Sequence, residues 1–168
     1  MITMGKLKKL QTDIQISKNL YLQKFNPVEC INNPPVNSIY EAFKDKTTPT
    51  LASLQRQKGY KIASSIIKTW IIYLLEVLNP TRPFTEDQIH AAAGFILKKY
   101  YMFRIADLAI IFRKIIEEGH GKEYGPLNIT NFLKLFKAHF EQRCNLSESH
   151  NYSKSIEHRQ NLEDLGTE

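Results

Sequence analysis

Residues 104–143 decide the fold. They read R-I-A-D-L-A-I-I-F-R-K-I-I-E-E-G-H-G-K-E-Y-G-P-L-N-I-T-N-F-L-K-L-F-K-A-H-F-E-Q-R. Ile105, Leu108, Ile111, Phe112 and Ile115 recur at spacings of three and four, which puts them on one face of a helix. Ile129, Phe132, Leu133, Phe136 and Phe140 repeat the pattern, with Asn128 as a cap before them. Gly119, Gly121 and Gly125 separate the two runs and form a hinge, because a backbone without β-carbons turns tightly there. The stretch predicts helix, hinge, helix.

Working outward, Tyr60–Leu78 carries the stripe Ile62, Ile66, Ile67, Trp70, Ile71, Leu74, Leu75 and Leu78, and Asn79-Pro80 ends it. Thr85 and Gln88 have the spacing of a capping box, with Phe84 and Ile89 placed as a hydrophobic staple. The helix they start is expected to reach about Tyr101. Its run Ala91-Ala92-Ala93-Gly94 predicts a close helix crossing. Thr48-Pro49 predicts the cap and first position of a short helix over Pro49–Gln57, ending near Gly59. Ser38 is expected to cap another that carries Ile39, Tyr40 and Phe43. Strand-like alternation is absent. The expected fold is all-α, a compact bundle of four to five main helices over residues 36–143. Residues 1–35 form a basic N-terminal arm and linker closed by Asn32-Asn33-Pro34-Pro35, and residues 144–168 a polar acidic tail, expected to be disordered or loosely helical.

A chain of 168 residues, 42% of them hydrophobic, can bury one substantial core. Its net charge of +6 is uneven. Residues 1–25 hold five lysines against Asp13, whereas residues 144–168 hold Lys154 and Arg159 against five acids. The first residues lack the apolar core of a secretory signal, and Ile62–Leu78 includes Ser64, Ser65, Lys68, Thr69 and Glu76, too polar for a membrane span. A cytoplasmic location without a membrane partner is expected.

The chemistry-bearing residues do not assemble into catalytic motifs. His90, His120, His139, His150 and His158 show no metal-ligand spacing, and Cys30 and Cys144 read as two free thiols. Gly119-His120-Gly121-Lys122 is followed by Glu123 instead of the Ser or Thr of a phosphate-binding loop, and no nucleophile elbow occurs. No cofactor, no metal and no enzymatic activity are expected. Asp107 stands among apolar residues, where it would cap its helix or pair with Arg104 or Lys114. A pocket uniting Asp107, His120 and Tyr124 would reopen the enzymatic reading.

Binding is the function that the residues favour. Lys98, Lys99, Arg104, Arg113 and Lys114 lie near Tyr100 and Tyr101, and Lys134 and Lys137 fall on the polar face of the last helix. Cations neutralise phosphates and tyrosines stack on bases, so DNA or a DNA-processing protein is the expected partner. The bland alternative is a set of solvated faces. A different class of function is a protein–protein adaptor or oligomer docking through Ala91–Gly94 or the basic arm.

From Pro49 to Arg143 the chain also resembles a family of small uncharacterised helical proteins of Bacteroidetes genomes and their phages or mobile elements. The matching residues are Pro49-Thr50-Leu51, the helix around Trp70, Thr85 with Gln88-Ile89, Arg104 through Leu108, Phe112, Tyr124-Gly125, Asn128 and Arg143. Glu118, His120 and Glu123 stand where that family carries glycine, tyrosine and an aromatic. The resemblance implies a bacterial or phage origin and a helical fold, and brings no activity with it.

Overall fold

The structure is a computed structural model that describes residues 20–118 and 127–165, with side chains through residue 160. Among these residues no strand forms, and seven helices follow the helical residues 20–24. Three are short: α1 (Pro27–Asn32), α2 (Ile39–Lys44) and α3 (Leu51–Lys58). Four are long: α4 (Tyr60–Leu78), α5 (Glu86–Lys99), α6 (Ile105–Glu118) and α7 (Ile129–Leu165).

Side-chain caps set most of the starts. Asn26 accepts from the Val28 N–H, Ser38 from Glu41, and Asn128 from Asn131, each satisfying an amide that the helix leaves unpaired. Thr85 and Gln88 close the capping box in both directions. Asn79 ends α4 in the left-handed region at φ 42°, and its N–H returns to the Leu75 carbonyl. One start is displaced from the sequence expectation. Thr50, not Thr48, caps α3, because Asp45 captures Thr48 in a turn of its own.

The core is aromatic and runs from α4 to α7. Trp70 meets Phe112 edge to face at 5.3 Å, Phe112 meets Phe132 at 5.9 Å, and Phe132 meets Phe136 at 5.2 Å. Tyr100 stacks on Phe103 at 5.1 Å and is tilted against Phe136 at 5.8 Å. Trp70 is fully buried, so its indole N–H requires an acceptor, and the Phe25 carbonyl supplies one at 2.8 Å. That bond draws the N-terminal segment inward. Phe25 and Ile31 join the main core, so the described part of the presumed arm is built into the body.

The polar tail is helical as far as the structure describes it, one of the two states expected for it. α7 continues as one helix of 37 residues, about 55 Å long, into the segment expected to be disordered or loosely helical. Neither proline nor glycine occurs between Ile129 and Leu165 to break it. Ser149, Ser153 and Ser155 turn their hydroxyls onto carbonyls four residues earlier. Its middle is packed rather than free: α2 lies against both α6 and α7, Phe43 meets His150 edge to face at 5.9 Å, and the Arg143 guanidinium lies 5.8 Å from the Phe43 ring centre. Residues 151–160 are exposed throughout.

At the small-residue run, Ala92 and Ala93 are the buried members. A β-carbon at Gly94 would meet only the Tyr60 hydroxyl, at 3.1 Å, and the Tyr60 side chain is about half exposed and free to swing aside. Replacing Gly94 with Ala therefore raises stability by about 0.5–1 kcal/mol through the helix-propensity gain, measurable as a higher urea midpoint at unchanged slope.

Candidate anion-binding cleft

One loop organises the candidate site. Asp45 takes the N–H and hydroxyl of Thr47 on one oxygen, at 2.8 and 2.6 Å, and the N–H and hydroxyl of Thr48 on the other. Partial burial pushes the carboxyl pKa up, but these four hydrogen bonds outweigh it and hold the value at about 2. Beyond the turn, the chain pairs with the segment before α6. The Ile105 N–H donates to Pro49 at 3.2 Å, and the Leu51 and Ala52 N–H groups donate to the Phe103 and Tyr101 carbonyls, both at 2.8 Å. The guanidinium of Arg104 donates to the Thr48 carbonyl.

These contacts form an open cleft of about 490 Å³. Its walls come from four places in the chain: Tyr21, Lys24 and Phe25; Lys46, Thr47, Pro49 and Thr50; Ser53, Leu54, Arg56 and Gln57 of α3; and Arg104. Four lining residues are cations, Lys24, Lys46, Arg56 and Arg104, and none is an acid. Among the described residues no carboxylate forms an ion pair with any of the four. The first amides of α3 are already bonded to Phe103, Tyr101 and the Thr50 hydroxyl, so an anion here is met by side chains.

Of the cations nominated from sequence, Arg104 alone lines this cleft. Arg113 lies 3.9 Å from Glu117 and donates to the Asn37 carbonyl, Lys114 lies 3.9 Å from Glu118, and Lys137 lies 3.7 Å from Glu141. Lys134 donates to Asn131. Lys99 sits over Phe95 and Tyr100, with Lys98 exposed beside it at the end of α5. Gly119, Gly121 and Gly125, together with His120 and Tyr124, lie outside the described residues. Lys24, Lys46 and Arg56 were missed, although a sequence signal marks them. None has an acid three or four positions away, whereas Arg113, Lys114 and Lys137 each have a glutamate at i+4.

Asp107 has a structural assignment. It is completely buried at the start of α6, where Oδ2 accepts the Arg104 N–H at 2.7 Å, so the expected cap exists. Its ionic partners come from α7 and not from Arg104 or Lys114. His139 Nε2 donates to Oδ1 at 2.8 Å, and Arg143 Nη1 lies 2.6 Å from both oxygens. A narrow cavity of about 60 Å³ between α6 and α7 reaches His139 and Lys114, with room for only about two waters.

Other chemistry is sparse. Burial, and then the charge of Glu29, push the Cys30 thiol up, away from a reactive thiolate, and Cys144 is also free. Among the described residues no group of three or more His, Cys, Asp or Glu converges to hold a metal, and no helix is long and apolar enough to cross a membrane. Comparison with known proteins finds no matching family model, no matching curated protein and no matching solved structure.

Two outcomes follow from this geometry. Asp107→Ala leaves the buried His139 and the partly buried Arg143 without their anion and lowers stability by about 3–5 kcal/mol, read from a urea denaturation curve. Asp45 has a folded pKa below the ordinary 3.8, so its stabilisation is present above that pH and is lost as pH falls toward about 2. Over this window the wild-type protein loses stability more steeply than Asp45→Asn, as followed by acid titration of the helical circular dichroism signal.

Proposed function

We propose that this chain is a non-enzymatic DNA-binding accessory protein that meets the phosphate backbone through the cleft between α3, the Asp45 turn and the start of α6. The observation that carries this reading is the set of four cations in an acid-free concavity, free of internal ion pairs. A concave site lined by one sign of charge focuses its field and raises the local concentration of a polyanion. The sequence before Leu20 adds Lys6, Lys8, Lys9 and Lys18 against one acid, which favours the same class of partner.

A second reading, a protein–protein adaptor, draws on the exposed end of α7. Tyr152 and Ile156 lie four residues apart there, on one face of a helix otherwise solvated. The two readings separate in one titration, anisotropy of labelled DNA at two salt concentrations. DNA binding gives an affinity that falls steeply with salt, with a log–log slope of about −0.7 to −0.9 for each phosphate neutralised. Lys24→Glu with Arg56→Glu then weakens binding by about tenfold or more and leaves the melting temperature nearly unchanged, because both side chains are exposed. Charge reversal at Lys114 or Lys137, which already face glutamates, has a much smaller effect. Absence of salt-sensitive binding, with a mass that grows with concentration, would select the adaptor.

A further inference from the structure

We infer that the cleft takes a single strand of nucleic acid, with Tyr21 as the platform for a base. This inference rests on the DNA-binding reading and narrows its ligand. The four cations are not spread over a flat or convex face. Lys24 comes from the N-terminal segment, Lys46 from the Asp45 turn, Arg56 from α3 and Arg104 from the approach to α6, and together they surround one concavity. A duplex presents its phosphates on a stiff convex surface and keeps its bases paired inside, so it reaches only the rim of such a site. A single strand bends into it and offers an unpaired base beside each phosphate.

The volume fits this ligand. About 490 Å³ lies in the range of sites that enclose one small molecule, enough for a nucleotide unit and far too little for a double helix. Tyr21 provides the aromatic component. Tyr21 is among the residues that line the cleft, half-buried, with its ring tilted against that of Phe25 at 6.1 Å. Lys58 places its ammonium 4.4 Å from the same ring centre. The phosphate contacts come from the four lining cations, and a base that stacks on Tyr21 takes the place of this ammonium over the ring. Such stacking tolerates any base, so little sequence preference is expected.

The test uses the full chain and three probes: a labelled oligothymidylate, a labelled duplex of equal length, and inorganic polyphosphate as a competitor. The expected result is a single strand held about tenfold or more tighter than the duplex. Tyr21→Leu, which keeps the apolar packing and removes the ring, weakens single-strand binding by about tenfold and leaves polyphosphate competition unchanged. A duplex bound as tightly as the single strand overturns the single-strand assignment and leaves the DNA reading standing. Unchanged single-strand affinity in Tyr21→Leu, with the variant folded by circular dichroism, overturns the base platform and reduces the cleft to a general anion site. No salt-sensitive binding of either DNA removes the DNA reading itself.

Discussion

The architecture depends on one buried carboxylate. Asp107 has no exposed surface, and an isolated charge there would be strongly unfavourable. Three donors make it tolerable: the Arg104 amide from the start of its own helix, and His139 and Arg143 from α7. Such a cluster adds little net stability compared with an apolar replacement, since three polar groups must first be desolvated. What it adds is register. An α7 slid by one turn would leave only one of His139 and Arg143, which are four residues apart, opposite Asp107, whereas the phenylalanines at 132, 136 and 140 repeat at the same spacing and would accept that alignment.

Arg104 carries this constraint outward to the cleft. Its N–H ends on Asp107, its neighbours Phe103 and Ile105 pair with the strand-like stretch at Pro49–Leu51, and its guanidinium reaches the Thr48 carbonyl. Thr48 is in turn fixed by Asp45. The buried ion cluster and the wall of the basic cleft are therefore two ends of one hydrogen-bonded sequence of residues. Disorder at Asp107 would loosen Arg104, which it holds directly, and through Arg104 and Thr48 the turn that carries Lys46.

The parts of this design that were legible in the sequence are those controlled by residues close together in the chain. The periodicity of α4 and α6, the Thr85–Gln88 box, the stop at Asn79-Pro80 and the Asn128 cap all act within a turn or two, and the structure holds each of them. Asp107 was half legible for the same reason: its cap is three residues away, while its ionic partners lie 32 and 36 residues away. The start of α3 was misplaced because Thr48 and Thr50 flank Pro49 symmetrically, and only the competition from Asp45 separates them. The N-terminal segment was read as an arm from its lysines, although Trp70 needed an acceptor that local sequence could not supply. Polar composition disguised the end of α7, whose unbroken backbone and serine back-bonds sustain a helix with little burial.

The same distinction explains why local charge density was a poor guide to the candidate site. Arg113, Lys114 and Lys137 stand out in the sequence, yet their glutamates one turn away offer each of them an anion. Exposed pairs of this kind are weak, but a ligand phosphate still has to compete with them. Lys24, Lys46 and Arg56 are scattered singly along the chain and have no such competitor. Their anchors are fixed by buried or bonded neighbours: Lys24 by Phe25 and Trp70, Lys46 by the Asp45 turn, and Arg56 by α3, which carries Leu51 and Leu54 in the core. The attachment points are thus tied to the body, while the three side chains themselves are exposed. On the proposed function, an anionic strand bound here would order itself and a few side-chain rotamers on an anchored backbone, which keeps the entropic cost of recognition low.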